Sequence, residues 1–360
     1  MATINGTDKP EWLFGTVSRD VMRAYSGNDS IDGGDGGDTI YGGDGHDLIL
    51  GDGGRTYNTF AELIFGGNGN DEVFCGNGND QLFGENGNDH LVAGGGKDKI
   101  FGGNGNDDMQ GQGGDDSVLG NDGEDRLFGG DGNDFLDGSL KSDTLWGGNG
   151  NDIMLTDGGN SMHTDNDTAY GGAGNDTTFS GGGADVIKGE AGHDHVYAGS
   201  NNDRLWGGSG NDDINGQAGN DTIWGEGGND RLFGEGGNDT FYFATGGGTD
   251  VAAGGSGRDV FRFDLTNGAP LAVTITDFQF GQGGDKLVID TNTASYTAGV
   301  STALNRLVVD RNGDGVNDLV IKFGTSVPTD HLSILQQNNN LDFIVQSTKH
   351  GNEQGQALGP

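Results

Sequence analysis

Gly33-Gly34-Asp35-Gly36-Gly37-Asp38-Thr39-Ile40-Tyr41 runs directly into Gly42-Gly43-Asp44-Gly45-His46-Asp47-Leu48-Ile49-Leu50. Both nonapeptides spell G-G-x-G-x-D-x-U-x, where U is apolar. Self-similarity at a short fixed period marks a solenoid, so the repeat is read before any single element. Followed outward from this pair, the sixth slot holds Asp29, Asp38, Asp47, Asp71, Asp80, Asp89, Asp98, Asp107, Asp116, Asp125, Asp134, Asp143 and Asp152. It resumes with Asp176, Asp185, Asp194, Asp203, Asp212, Asp221, Asp230, Asp239, Asp250 and Asp259. The eighth slot is apolar in most units, as at Ile31, Ile40, Ile49, Val73, Leu82, Leu91, Ile100, Leu127, Leu205, Ile223 and Leu232. Chance does not hold phase over such a length.

Two weaker units extend the pattern backwards. Gly6–Phe14 puts Glu11 and Leu13 in the Asp and apolar slots, and Gly15–Arg23 puts Asp20 and Met22 there. The repeat is therefore expected to span residues 6–262, with no room for a domain ahead of it. Two units, Gly51–Phe65 and Thr156–Tyr170, are 15 residues long yet end in register at Glu62/Ile64 and Asp167/Ala169. Insertions that keep phase read as loops bulging from turns. Counted from Gly6 they fall in units six and seventeen, one even and one odd. With two units per coil, the loops at 51–65 and 156–170 should project from opposite sides. A two-residue slip at Phe243-Ala244 precedes the last units.

The x-U-x triplet reads as a short strand whose U side chain points inward, because strand side chains alternate faces. Glycines in slots one, two and four turn the chain and aim carbonyl oxygens inward. The fold class that follows is all-β: a parallel β-roll with two nonapeptides per coil.

Composition sets the condition for that fold. Gly accounts for 77 of 360 residues, the formal charge is −38 and only 31% of residues are apolar. Such a chain would ordinarily stay disordered. One inward side chain per nine residues does not offset the entropy of ordering nine backbones. Stacking also brings carboxylates of units n and n+2 together, as with Asp107 and Asp125, and like charges repel. A hard dication answers both problems. Calcium takes six to eight oxygens from carboxylates and carbonyls, which two facing turns offer. About nineteen Ca2+ would cancel a charge of −38, so on the order of 15–20 ions are expected. Metal binding then becomes folding energy, and the calcium-free chain is expected to be largely disordered.

The same acidity repels phosphates and excludes nucleic acid as a default partner. Cys75 is the single cysteine, so no internal disulfide forms; it reads as a small residue in a slot that usually holds Gly. No stretch reaches the roughly 20 apolar residues of a transmembrane segment. Met1–Ser26 lacks a basic stretch followed by an apolar run, so no Sec-type signal is expected.

The repeats stop after Asp264. Apolar runs at Val273–Phe278, Lys286–Asp290, Arg306–Val309, Leu319–Phe323, Leu332–Leu335 and Leu341–Val345 read as strands of a β-rich C-terminal cap over 263–347. Asp310, Asn312, Asp314 and Asp318 place oxygen ligands on a Gly-containing stretch similar to the start of an EF-hand loop. Ile321 stands where the twelfth-position Glu belongs. The stretch reads as one extra calcium site or as a polar hairpin turn. Residues 348–360 are polar and expected to be a disordered tail.

These motifs resemble the RTX, or hemolysin-type, proteins exported by type I secretion. Ile275-Thr276-Asp277-Phe278 through Gly284-Asp285-Lys286-Leu287 is also similar to the C-terminal end of such proteins, the tails of serralysin-type proteases included. The resemblance implies an uncleaved C-terminal export signal, passage through the type I secretion apparatus unfolded, and folding in millimolar external calcium. It implies that sixth-slot carboxylates and carbonyls of the Gly-rich turn, among them those of Gly33, Gly42, Gly66, Gly102, Gly129, Gly147, Gly171 and Gly207, bind the ions. Glu11, Glu62 and Asp167 sit in departed motifs, and Lys141 replaces the third Gly of unit Gly138–Trp146, which weakens that site. Family members usually carry an enzyme or toxin domain ahead of the roll. The architecture here is closer to small exported proteins that are nearly all repeat, such as a rhizobial nodulation-signalling protein.

Catalytic motifs are missing. No H-E-x-x-H or G-x-S-x-G occurs, and Gly96-Lys97-Asp98 lacks the Ser or Thr of a phosphate-binding loop. His193-Asp194-His195 reads as a transition-metal cluster or as a calcium ligand flanked by histidines in variable slots. Aromatics in slot nine (Tyr41, Phe74, Phe83, Phe101, Phe128, Trp146, Tyr197, Trp206, Trp224 and Phe233) read as a binding stripe or as rings stacked between coils. The function expected is calcium-dependent, non-enzymatic structural or interaction work by a secreted, extracellular or cell-surface protein. It could serve signalling, adhesion, a surface layer or a matrix, with a cell-surface glycan or protein as candidate partner. The other reading is an exported module associated with a polysaccharide-modifying or proteolytic enzyme.

Overall fold

The nine-residue period becomes an alternation between two parallel sheets. A computed structural model describes residues 1–53, 59–158, 163–244, 247–265, 271–279, 284–290, 297–301, 306–310, 319–324, 332–337 and 340–345, in two compact units, Met1–Gly219 and Asn220–Pro360. In the first unit, strands such as Gln81–Asn86, Lys99–Asn104 and Ser117–Asp122 pair in one sheet. The intervening strands His90–Gly95, Asp108–Gly113 and Arg126–Asp131 pair in the other. The register is a uniform step of two units: Ile100 lies beside Leu82 on one side and Val118 on the other. The chain is an all-β parallel solenoid, as the repeat predicts, and no described residue is helical.

Inside, the eighth slot forms an apolar file. Ile40, Ile64, Leu82, Ile100 and Val118 on one sheet, and Ile49, Val73, Leu91, Met109 and Leu127 on the other, are fully buried. The strands are longer than expected. Most run six residues, from slot seven through slot three of the next unit, because Gly103 and Asn104 keep pairing with Asn121 and Asp122. The first-slot glycine is thus an inward-facing strand residue and not part of the turn. Its missing side chain matters more than its backbone freedom.

The 51–65 insertion leaves Leu48–Leu50 of one sheet and enters Leu63–Asn68 of the other; the 156–170 insertion leaves Ile153–Leu155 and enters Thr168–Ala173 in the reverse sense. The two loops therefore lie at opposite edges of the first unit, which the odd and even count requires.

In the second unit the core changes from Leu and Ile to Phe. Phe241 stacks on Phe261 at 4.9 Å and Phe243 on Phe263 at 5.0 Å between ring centroids. The parallel register runs on past Arg262: Val260 pairs with Lys286, Thr249 with Ala272, and Leu271 with Leu319. Antiparallel pairs then close it. Arg306–Asp310 pairs with Leu319–Phe323, so the 310–318 stretch joins two hairpin strands, and Leu332–Gln337 pairs with Asn340–Val345. Asn312, Asp314 and Asp318 and the tail 348–360 lie outside the described residues, as does the side chain of Asp310.

Candidate metal centre

Every sixth-slot aspartate named above, from Asp29 to Asp259, is 3% exposed or less, as are Glu62 and Asp167. Burying so many carboxylates demands a reason, and the hydrogen bonds supply half of it. At most of these slots the backbone N–H donates to the Oδ1 of the aspartate one coil on: Asp71 to Asp89, Asp89 to Asp107 and Asp107 to Asp125, all at 2.8 Å. The chain of bonds crosses both insertions, from Asp47 to Asp71 and from Asp143 to Asp167. In the second unit it runs from Asp239 to Asp259 and then to Asp285.

The other oxygen is left over. Oδ2 of Asp89, Asp98, Asp107, Asp116, Asp125 and Asp134, among others, is buried without a hydrogen-bond partner among the described residues. A buried polar atom without a partner costs about 1–3 kcal/mol, more when charged. These atoms border a small space that only a glycine leaves open. A Cβ on Gly102 would collide with Asp107 Oδ2 and reach within 2.8 Å of the Gly120 carbonyl oxygen. Gly129, Gly147 and Gly171 repeat the arrangement with the carbonyls of Gly147, Gly171 and Gly189, and the Gly207 carbonyl bounds the space at Gly189. The carbonyls of Gly51 and Gly66 do so at Gly33 and Gly42, and that of Gly84 at Gly66. The donor set is carboxylate and carbonyl oxygen throughout, which suits a hard cation.

Burial pushes the carboxyls of Asp71, Asp107, Asp116 and Asp176 up to about 7, and those of Asp89, Asp125, Asp134 and Asp152 up to about 6; the backbone N–H bond opposes the shift. Glu62 rises too, through burial with Asp80 alongside, and neither of its carboxylate oxygens has a hydrogen-bond partner among the described residues.

Several slots depart from the pattern. The Ser180 hydroxyl takes the first slot and donates to Asp185 Oδ2, so this predicted ligand already has a partner. Ala93 and the Cys75 thiol fill the same inward position next to Asp98 and Asp80, and burial pushes the thiol pKa up. The ends are sealed by protein donors. Asp20 Oδ2 accepts from the Thr16 N–H and hydroxyl, and Asp285 Oδ2 from Gln279 N–H at 2.7 Å. Asp277 takes the N–H groups of Gly254 and Gly255 at 3.0 and 2.7 Å. Asp285 is a ladder member outside the nine-residue phase, and its sequence signal is the Asp-x-apolar spacing of Asp285-Lys286-Leu287. Lys141 keeps its slot at φ 74, where the neighbouring Gly132 and Gly150 have φ 144 and 138. Replacing Lys141 by Gly should raise stability in calcium by about 1 kcal/mol, read as an increase in the thermal midpoint.

The fifth slot, treated as variable, is a second ladder running the opposite way. Asn88 N–H donates to Asn70 Oδ1 and Asn106 N–H to Asn88 Oδ1, so this side chain serves the following coil while the aspartate beside it serves the preceding one. Histidine substitutes: Asn211 N–H donates to His193 Nδ1 at 2.7 Å. His193 is therefore a rung of this ladder, and Asp194 is a buried rung of the other. Many of the slot-nine aromatics stack between coils, whereas Phe74 meets His90 edge-on at 5.7 Å. Phe83 lies between Phe65 and Phe101 at 4.9 and 4.8 Å, and Trp146 between Phe128 and Tyr170 at 4.3 and 5.8 Å. Arg126 and Lys188 extend the second column as cations over ring faces. Ring faces in these columns are covered by one another, which favours the stacking reading over a stripe that grips sugars.

The family model described as RTX calcium-binding nonapeptide repeat matches residues 5–40, 23–57, 58–91, 75–109, 101–136, 128–162, 164–187, 179–214, 206–241 and 244–262. No curated protein matched the chain.

Proposed function

Because this chain belongs to the RTX calcium-binding nonapeptide repeat family, whose repeats bind Ca2+ in multiple copies, we propose that its sixth-slot aspartates and first-slot carbonyls hold files of Ca2+ and that these ions fold it outside the cell. The observation that carries this is the recurring Oδ2 of Asp89, Asp107, Asp125 and their equivalents, buried without a partner beside a carbonyl oxygen. When bound, calcium supplies positive charge and an oxygen-accepting shell. The protein supplies the rest. The backbone N–H bond fixes each carboxylate so that Oδ1 is spent and Oδ2 is aimed at the space beside the glycine. Slots with an intact first glycine are the strongest sites. Asp185, with Ser180 at its carboxylate, is the weakest.

The reading extends to biology in one direction. An acidic chain that is held unfolded without calcium suits export by a type I apparatus from low-calcium cytosol, followed by folding in millimolar calcium. The aligned carboxylates are closed off from any substrate, which supports a structural or interaction role in signalling, adhesion, a surface layer or a matrix, and not catalysis. Equilibrium dialysis with radioactive calcium tests the ligand assignment. On the order of 15–20 ions should bind, and the double variant Asp107→Asn/Asp125→Asn should lose ions while Ser180→Gly gains affinity at its own slot. An ion count unchanged by the double substitution would refute the assignment.

A further inference from the structure

The 156–170 insertion carries a group of side chains that the calcium ladder does not use. Its root is rigid. Thr156 N–H donates to the Phe179 carbonyl at 3.1 Å, and the Thr156 hydroxyl donates to the Ser180 carbonyl at 2.8 Å. Gly158, at φ 58, then turns the chain away. Between them Asp157 is 1% exposed. Its Oδ2 accepts the Gly182 N–H at 2.8 Å, and its Oδ1 is buried without a hydrogen-bond partner among the described residues. Where the loop returns, half-buried His163 and Asp165 meet it: one ligand atom from each of the three residues lies within 4.8 Å of the other two.

We propose that Asp157, His163 and Asp165 form a transition-metal site, of the Zn2+ class, that ties the returning arm of this loop to its root. Two independent features point there: the three side chains converge, and one carboxylate oxygen in the cluster is buried without a partner among the described residues. The donor chemistry separates this site from the ladder. Calcium sites are all oxygen and need six to eight ligands, whereas an imidazole nitrogen with two carboxylates matches zinc and its neighbours. Zinc bonds of about 2.0–2.1 Å set tetrahedral ligands roughly 3.3 Å apart, so a small rotamer change of His163 and Asp165 closes the set. Three protein ligands leave a coordination position for water or for a donor from a partner. Asp185, nearby, is already engaged by the Asp167 N–H and the Ser180 hydroxyl and is not needed. The 51–65 insertion begins with the same Asp-Gly-Gly but has no histidine, so the site belongs to this loop.

The test holds the protein folded in about 10 mM Ca2+, enough to saturate the ladder, and titrates Zn2+, with Co2+ as the spectroscopic probe. About one equivalent of Zn2+ should bind despite the excess calcium, and Co2+ should show the visible bands of a low-coordinate nitrogen and oxygen site. His163→Ala should weaken Zn2+ binding at least tenfold without changing far-ultraviolet circular dichroism in calcium. His193→Ala should leave Zn2+ binding unchanged. Asp165→Asn, read in the same way, decides the matter should His163→Ala fail to fold. Zn2+ binding that calcium abolishes, or that is the same in His163→Ala and the unaltered chain, overturns the proposal.

Discussion

In a calcium chelator at pH 8 the chain loses its β-sheet circular dichroism and recovers a substantial part of it on acidification through pH 7 towards pH 5. The sign follows from the ladder. Asp71, Asp107, Asp116 and Asp176 move from an ordinary 3.8 to about 7 in the folded chain, and Asp89, Asp125, Asp134 and Asp152 to about 6. A carboxyl whose folded pKa is raised binds more protons folded than unfolded. Its contribution to stability is therefore fully present below about pH 4 and is lost as pH rises through 6 to 7. Each shift of two to three units costs several kcal/mol once the group is ionised, at about 1.4 kcal/mol per unit. Each ionised rung therefore opposes folding, and a cation beside its Oδ2 is expected to offset that cost. Protons and calcium compete for the same oxygens, but both favour the folded chain, so the calcium concentration at the folding midpoint should fall as pH falls through the same 6 to 7 window while fewer ions are bound at that midpoint. Equal β signal in chelator at pH 8 and in about 10 mM Ca2+ would remove the basis for calcium-driven folding.

The second large effect comes from two glycines eight residues apart. Gly105 has φ 126, and a Cβ there would strike the Gly87 carbonyl, with its carbon only 2.5 Å away. Gly113 has nothing within 4 Å of its ideal Cβ and does not adopt a positive φ. Gly105→Ala combines left-handed strain with a collision against backbone of the stacked coil, which has no side chain to rotate away. It should cost on the order of 3–5 kcal/mol, among the largest single-residue effects. Gly113→Ala should leave stability unchanged or raise it by about 0.4–1 kcal/mol, because alanine narrows the unfolded ensemble. Thermal unfolding in saturating calcium distinguishes the two. Equal midpoints would mean that the turns are not held by coil-to-coil backbone contact.

Parts of the candidate site can be read from the chain alone. The phase of Asp29 through Asp259 and of the eighth-slot apolar residues requires two inward files, because side-chain facing in a strand has a period of two. Odd and even counting of units placed the two insertions at opposite edges. The first-slot glycine was misread as a turn residue, because the repeat does not reveal that Gly103 and Asn104 continue the ladder with Asn121 and Asp122. Asp285 is hidden for a different reason. The spacing stretches from 18 to 20 and then to 26 residues along Asp221, Asp239, Asp259 and Asp285, so a fixed window loses Asp285.

What the sequence determined by itself is the slot each residue occupies: nine residues per half coil, one apolar side chain inward, one carboxylate at the turn, and a charge that demands a dication. Only the tertiary structure decided which neighbour each side chain serves. Asp107 reaches back to the Asp89 N–H while Asn106 serves the Glu124 N–H of the coil ahead. Both neighbours lie one coil away, and a one-dimensional period is identical in the two directions. The same limit hid the Asp157, His163 and Asp165 cluster, which depends on where a non-repeating loop returns and not on any repeat at all. Closing that distance takes backbone contacts with Phe179, Ser180 and Gly182, more than twenty residues further along the chain.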